Sequence, residues 1–508
     1  MVMGKDLKML YQEYIKTIDE KADLIYKVSD GIWDHAETAF GEYESMDILS
    51  GALEKEGFTV TRGLCGIPTA FKAVYGSGHP AIGILAEYDA LEGLNQQAGV
   101  TEPLRIAGPD VGHGCGHNLF AGGSFAGALA VKAYVEKTGN GSITLFGCPA
   151  EENGSGKLFL AREGTFNDMD AIVSWHPEKM YMVRTRRSLA AVSLEFSFKG
   201  IAAHAGGSPH KGRSALDAVE LMNVGCNYLR EHMEPTSRIH YAITDTGGTA
   251  PNVVQSHAQV RYMIRALSNA AVNDLRARVE RVAQGAAMMT DTTVTSKVLS
   301  GYSSLVTIPT LQQTAYEAMQ EVPFPVPTEE ELEFGRALRA TMNLTPEELE
   351  GPVYPESLLP PAPPKDHGGS TDTGDVSWNC PVVQMHIGNW CIGTPGHSWQ
   401  AVAQGKSTYA QKAMFYAGKS LAGTAIRLME NPERLVKARE EHAAQTKGGY
   451  QCPLPDELKP VIQPRKKYSS TSKCRRIKSG PLQRVVSFAN PHIAQKSAEP
   501  LSDLQTFS

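Results

Sequence analysis

Short, mainly apolar runs alternate with helical patterns through the first third of the chain. The runs at 81–86, 142–147 and 171–175 each have the length of one strand that is buried on both faces. A helical pattern rich in Ala and Gly covers 119–137 between the first two runs. Alternation of buried strands with helices is typical of a mostly parallel sheet that helices cover. The pattern therefore predicts an α/β domain.

A second pattern, in which apolar and polar residues alternate, covers about 188–306. Such alternation is typical of a sheet with one covered face. In chain order this stretch predicts strand, helix, strand, strand, helix and strand, which is a ferredoxin-like arrangement. Strand and helix patterns of the first kind return at 382–386 and 406–428. We therefore predict a larger α/β domain in two parts, residues 1–187 and 307–463, with the ferredoxin-like domain inserted between them.

Composition agrees with a globular protein of more than one domain, since the chain has 508 residues, 42% hydrophobic and 20% charged. The net charge of −6 argues against a nucleic-acid partner. Charge is uneven, because residues 464–508 carry nine basic and two acidic residues, which leaves about −13 for the rest. This basic tail lacks apolar periodicity, and we predict that it is disordered.

The chain shows no sign of a membrane segment or of export. No run of 18 apolar residues occurs, and the first residues lack an apolar signal-type stretch. The eight cysteines are scattered without a disulfide-like spacing. We therefore expect a cytoplasmic protein in a reducing compartment.

The densest group of metal-binding residue types lies in residues 111–118, VGHGCGHN. His113, Cys115 and His117 stand there between glycines, just before a helical pattern. Imidazole and thiolate bind zinc-like ions strongly, and glycines let the backbone approach an ion closely. The stretch indicates a metal site, and a glycine-rich turn with incidental polar residues is the alternative.

Acidic and imidazole side chains follow the buried runs where these runs end. Asp89 follows the first run, Glu151 and Glu152 the second, and His176 the third. Because the carboxyl ends of parallel strands meet at one edge of a sheet, we expect these side chains to converge. His397, in a Gly/Pro-framed loop ahead of a helix, is also suited to be a ligand.

Seven motifs in this order resemble the aminoacylase/carboxypeptidase family of di-metal peptidases and amidohydrolases, in particular its N-acyl amino acid and dipeptide hydrolases. The motifs are GHGCGHN, PAEENGSG, SWHPE, KGIAAHAGGSPHKGRSALDA, GGTAPNVV, GSTDTGDVSW and GTPGHSWQ. The resemblance covers about residues 8–455 and does not reach the basic tail. It implies a di-zinc peptidase-like catalytic domain, a mixed sheet flanked by helices, with an inserted ferredoxin-like α+β lid or dimerisation domain.

The resemblance implies two divalent ions per chain, zinc or manganese with cobalt as a further choice. The ligands it implies are Cys115, His117, Glu152, His176 and His397. It also implies Glu151 as the general base and Asp89 as a support for the ligands. Glu87, two residues before Asp89, is expected outside the metal shell.

The resemblance further implies that His204, Asn252 and Arg265 contact the substrate, the first two often in the site of a neighbouring subunit. A guanidinium such as that of Arg265 is suited to a substrate carboxylate. The residues alone leave alternatives open, namely a surface salt bridge for Arg265, a polar turn for His204 and a buried free thiol for Cys115.

We predict a metal-dependent amidohydrolase or peptidase that cleaves the amide bond of an N-acyl amino acid or a small dipeptide, such as aminobenzoyl-glutamate. A metal-activated water would attack, with Glu151 as general base. The expected partners are a small molecule with a free carboxylate and a second copy of the chain, bound through the inserted domain. A heterodimer with a related chain, or a non-catalytic binding role within a heteromeric hydrolase, is the alternative.

Overall fold

Seven strands form the larger of the two main sheets in the computed structural model, which describes residues 3–363, 366–367 and 369–465. In chain order, the strands of the described residues are β1 (Thr59–Arg62), β2 (Phe71–Gly76), β3 (Ala81–Glu87), β4 (Leu91–Glu92), β5 (Val111–Gly112), β6 (Ser142–Cys148), β7 (Ala171–Glu178), β8 (Met182–Val183), β9 (Arg187–Ser188), β10 (Ala190–Lys199), β11 (Arg238–Asp245), β12 (His257–Ala266), β13 (Thr293–Tyr302), β14 (Asp366–His367) and β15 (Val382–Gly388).

Helices flank both main sheets. Those of the described residues are α1 (Met3–Glu20), α2 (Ala22–His35), α3 (Tyr43–Lys55), α4 (His117–Thr138), α5 (Gly156–Arg162), α6 (Ala215–Leu229), α7 (Asn269–Met289), α8 (Pro309–Glu321), α9 (Glu329–Arg339), α10 (Pro346–Glu350), α11 (Thr373–Asn379), α12 (Trp399–Gln404), α13 (Thr408–Glu430) and α14 (Pro432–Gln445). Short 3-10 turns occur at Leu64–Gly66, Pro209–Lys211 and Arg230–His232.

The large sheet is mixed, with the order β1-β2-β6-β3-β7-β15-β8. Its four central strands β6, β3, β7 and β15 are parallel, while β2 and β8 join them antiparallel. Every residue of β3 and β6 is buried, because α4 and α13 pack against the sheet and against each other. This arrangement confirms the predicted α/β fold class and accounts for the apolar runs of the sequence.

The second main sheet has the order β11-β12-β10-β13 and is antiparallel throughout. Helices α6 and α7 pack on one of its faces, so that buried residues alternate with more exposed ones along β12. The succession of strands and helices is the predicted ferredoxin-like one. The division of the chain at residues 188 and 306 stays a prediction.

The structure differs from the sequence prediction at the N-terminal helix. One helix is predicted over 5–30, but α1 ends at Glu20 and α2 begins at Ala22. Lys21 between them forms an ion pair with Glu56, with 2.9 Å between Nζ and Oε1. The break lets Ile18 and Ile25 both enter the core.

Two predictions concern features at the limits of the structure. The basic tail, predicted at 464–508, lies outside the described residues from 466 onward. Among the described helices, none combines the length and the apolar character that crossing a membrane requires.

Candidate metal centre

Three neighbouring parallel strands bring acidic and imidazole side chains to one edge of the large sheet. β3 ends at Glu87, two residues before Asp89, and β6 is followed by the turn that carries Glu151 and Glu152. His176 lies near the end of β7. The carboxyl ends of these strands meet, as the sequence predicts for residues after buried parallel strands.

The beginning of α4 and a loop before α12 supply the remaining ligand types. His117 is the first residue of α4, and Cys115 precedes it by two residues. Gly116 between them has a left-handed backbone with φ of 74°, and a Cβ there would lie 2.9 Å from Cζ2 of Trp390. Only glycine therefore fits this position well. His397 lies in the loop, two residues before α12.

All five predicted metal ligands come together in two overlapping groups. Within each group, one possible ligand atom per residue lies within 4.8 Å of the others. The groups are Cys115, His117 and His176, and Cys115, Glu152 and His397. Because Cys115 belongs to both, the geometry suits two adjacent ions that share one thiolate. The assignment of these residues as ligands stays a prediction.

Asp89 connects two of these residues, as expected of a supporting carboxylate. Its Oδ1 lies 2.9 Å from Nδ1 of His117, and its Oδ2 accepts a hydrogen bond of 2.9 Å from the backbone N–H of Glu152. A carboxylate at Nδ1 keeps the proton there and leaves Nε2 for a metal. Burial opposes the charge of Asp89, but attraction to His117 and these hydrogen bonds hold its pKa below the ordinary value.

Glu87 joins the cluster, although the sequence analysis places it outside the metal shell. A third group of possible ligands consists of Glu87, His117 and Glu151. Among the described residues, Oε2 of Glu87, Nε2 of His117 and Oε1 of Glu152 are buried without a hydrogen-bond partner. Buried polar atoms of this kind normally have partners, and coordination of a cation would provide them. The donor set therefore fits divalent metal ions.

The two adjacent glutamates face different partners. Oε1 of Glu151 accepts a hydrogen bond of 3.0 Å from Oγ1 of Thr371, whereas Oε2 of Glu152 lies 3.5 Å from Nε2 of His397. Burial raises the pKa of Glu152 to about 8, and the charges of Glu151 and Asp89 add to this shift against the attraction of His117. A dication in the cluster would reverse this balance and favour the carboxylates.

Backbone strain is concentrated around the cluster. Ala150, Ser155 and His397 have positive φ values of 61°, 54° and 54°. Non-glycine residues adopt this conformation at a cost of about 1–3 kcal/mol, which the surrounding structure must offset. Two of these residues flank the Glu151–Glu152 turn, and the third is itself a predicted ligand.

A buried cation lies behind the cluster. Nζ of Lys157 is 2.7 Å from Oε1 of Glu87 and 2.5 Å from Oδ1 of Asp372. The side chains of Lys157 and Asp372 are fully buried. Burial opposes the ammonium, but attraction to Asp372, Glu87 and Glu151 outweighs it and raises the pKa of Lys157. Sequence analysis missed this network, because nothing in the GSGK segment signals a buried lysine.

The metal cluster opens into a cavity of about 660 Å³. Besides predicted ligands, its wall contains Arg184, Gln384 and Ser370. His386, paired in register with His176 on the neighbouring strand, also lines it. Neither Arg184 nor His386 was predicted, since single polar residues outside a motif carry no sequence signal of their own.

The predicted substrate-contact residues do not line this cavity. Nη1 of Arg265 donates a 2.8 Å hydrogen bond to Oγ of Ser370, which does line it. His204 and Asn252 are exposed neighbours on the ferredoxin-like unit, where Nδ1 of His204 accepts hydrogen bonds from two glycine N–H groups. His113, from the glycine-rich stretch, is buried with Nε2 3.1 Å from the carbonyl oxygen of Ile32, outside the three ligand groups.

Comparison with known proteins adds a family to this geometry. Residues 83–329 match the family described as peptidase family M20/M25/M40. One of the subunits of the p-aminobenzoyl-glutamate hydrolase of Escherichia coli (strain K12) is 43% identical, over 85% of this chain and 95% of that protein. The Xaa-Arg dipeptidase of Mus musculus is 28% identical, over 89% and 94%.

A solved structure has the same fold. The crystal structure of a dinuclear metal-binding peptidase of the M20 family from Bacillus subtilis matches with a TM-score of 0.53 and 18% identity. The match covers 80% of this chain and 99% of that one.

Proposed function

The chain belongs to peptidase family M20/M25/M40 and is a metal-dependent hydrolase of amide or peptide bonds, and we propose that its substrate is an N-acyl amino acid or a small dipeptide. The observation that carries this proposal is the convergence of Cys115, His117, Glu152, His176 and His397 around Glu151. Aminobenzoyl-glutamate is the first candidate substrate, because the relative with 43% identity is named for it.

Two divalent ions per chain are proposed, and the mixed thiolate, imidazole and carboxylate set favours zinc, with manganese or cobalt as alternatives. When bound, the ions would supply Lewis acidity that polarises the amide carbonyl and makes water a nucleophile at neutral pH. Cys115 would bind as a thiolate. Burial alone raises the pKa of this thiol, so a cation must accompany its ionisation.

Glu151 is proposed to take the proton from the attacking water and to give it to the leaving amine nitrogen. The hydroxyl of Thr371 holds Oε1 of Glu151 at 3.0 Å, which fixes the direction of the carboxylate. Glu152 would remain a ligand, because its Oε2 faces His397. The division of roles between adjacent glutamates follows from these different partners.

The substrate carboxylate is proposed to bind on the side of the cavity where Arg265 contacts Ser370. His204 and Asn252 are exposed in the single chain, so we propose that they act on the cavity of a partner subunit. An exposed apolar stripe on α6, formed by Leu221, Val224 and Tyr228, offers a surface for such a partner.

The edge strand β11, next to β12, extends that surface with exposed Tyr241 and Ile243. A homodimer through the ferredoxin-like unit is the proposed assembly, and sedimentation would test it. A heteromer is the alternative, because the relative from Escherichia coli is named as a hydrolase subunit. A cytoplasmic location is proposed as well, since the cysteines of the described residues are free thiols.

The deciding experiment measures metal content and hydrolysis on the same protein. We expect close to two ions per chain and chelator-sensitive hydrolysis of at least one member of a panel of N-acyl amino acids and dipeptides. Glu151→Gln should abolish turnover and keep the metal content of the wild type, whereas Glu152→Gln should lose metal. Loss of metal from Glu151→Gln would mean that the two roles are exchanged. Absence of both metal and turnover in the wild type would favour a non-catalytic binding role.

A further inference from the structure

Arg184 is a cation in the cavity wall without an anionic partner. It follows β8, and its backbone N–H donates a 2.9 Å hydrogen bond to the carbonyl oxygen of Gln384. Its Nη1 donates a second hydrogen bond, of 2.7 Å, to Oε1 of the same glutamine. Among the described residues, no carboxylate forms an ion pair with its guanidinium. Gln384 therefore orients Arg184 without neutralising it.

A largely buried charge without a counter-ion is costly, and the chain treats the buried cation Lys157 differently. Lys157 contacts two carboxylates at ion-pair distance. Burial lowers the pKa of Arg184 to about 10, and only the more distant charges of Glu151 and Glu178 oppose this. The guanidinium is still protonated at neutral pH. Its remaining N–H donors border the cavity that also contains Cys115 and Glu152.

We propose that Arg184 binds a carboxylate of the substrate. A guanidinium presents a planar fork that matches a carboxylate, and Gln384 fixes the direction of this fork. The proposal rests on the proposed function, because it takes the cavity to be an active site. It adds a second cationic anchor to Arg265, so an N-acyl derivative of an acidic amino acid, with two carboxylates, is the substrate class that would use both anchors.

The test compares three substrates that share one acyl group and differ in charge: the N-acyl derivatives of glutamate, glutamine and glutamate α-amide. Arg184→Met should lower kcat/KM for the glutamate derivative at least about 30-fold, mainly through KM. Arg184→Lys should recover part of this loss. The matched control Arg281→Met removes an exposed cation of α7 and should change kcat/KM for none of the three.

The amide derivatives identify which carboxylate Arg184 binds. If the glutamine derivative is insensitive to Arg184→Met and the α-amide is not, Arg184 binds the side-chain carboxylate. The opposite result assigns it to the α-carboxylate. An equal loss for all three substrates would overturn the proposal, because Arg184 would then act on Glu151 or on the fold. Absence of any loss would overturn it as well.

A binding measurement separates this proposal from the proposed function. Calorimetry of the same three ligands on Glu151→Gln, with and without Arg184→Met, needs no turnover. If the wild type hydrolyses no panel member, the proposed function fails, and calorimetry alone decides on Arg184. Weaker binding of only the ligands that carry one particular carboxylate supports the proposal. Identical binding with and without Arg184→Met refutes it.

Discussion

Replacing Lys157 by methionine removes the ammonium between two buried carboxylates behind the candidate metal centre. Glu87 and Asp372 would then face each other's charge in a region where the three side chains are at most 2% exposed. Removing one partner of a buried ion pair typically costs about 3–5 kcal/mol. The folded protein can limit this cost by binding a proton, and protonation of an ordinary aspartate at pH 7 costs about 4 kcal/mol. We therefore expect Lys157→Met to lose about 4 kcal/mol at pH 7.

The loss should depend on pH with a definite sign. Carboxylates without their ammonium have a raised pKa in the folded variant, so this state binds more protons than the unfolded chain. The stability of the variant relative to the wild type then rises as pH falls. Between pH 7 and pH 5 the loss should shrink by about 2.7 kcal/mol for one bound proton.

Equilibrium urea unfolding of the metal-free protein at pH 7 and pH 5 measures both quantities. A loss of about 4 kcal/mol corresponds to a midpoint lower by about 1 M urea. Lys132→Met is the matched control, since its ammonium lies 3.6 Å from Glu136 at the surface of α4 and should contribute under about 0.5 kcal/mol. The added change Asp372→Asn should restore part of the stability. A loss under about 1 kcal/mol at pH 7, or an equal loss at both pH values, would refute the argument.

Two further predictions concern buried groups elsewhere. Burial raises the pKa of Asp375 to about 6, so the stability that its protonated form contributes, about 3 kcal/mol, is present below pH 4 and lost as pH rises through about 6. Asp375→Asn should remove this part of the pH dependence of urea midpoints, and parallel curves for variant and wild type would contradict it. Gly156→Ala would place a Cβ 1.9 Å from the carbonyl oxygen of Pro149. It should shift the Glu151–Glu152 turn and lower metal affinity at least about tenfold in chelator competition, and unchanged affinity would contradict this expectation.

The sequence predicts the parts of the centre that follow from strand order. Asp89 and His176 come near the ends of parallel neighbours β3 and β7, and apolar runs alone place such ends at one edge. His113 shows the limit of motif reasoning. It stands in the densest cluster of ligand types, yet its imidazole is directed to the carbonyl oxygen of Ile32.

Long-range pairing is what local patterns cannot supply. Lys157 and Asp372 are 215 residues apart, and their contact depends on how α5 meets the segment before α11. Arg184 gains its importance only because β8 adds to the edge of β15 and carries it to the cavity wall. Neither position differs, in the sequence, from an ordinary surface cation.

Asp89 and Lys157 hold the candidate centre in different ways, and this difference has a consequence for its behaviour. Asp89 bonds to His117 and to the backbone N–H of Glu152, so it fixes two predicted ligands that come from different elements. Lys157 contacts no predicted ligand of the set of five and acts on Glu87 by charge. Loss of Asp89 should therefore disturb the positions of the ligands, whereas loss of Lys157 adds negative charge and leaves those hydrogen bonds in place. Added negative charge attracts a dication, so metal should offset much of the instability of Lys157→Met but little of that caused by Asp89→Ala.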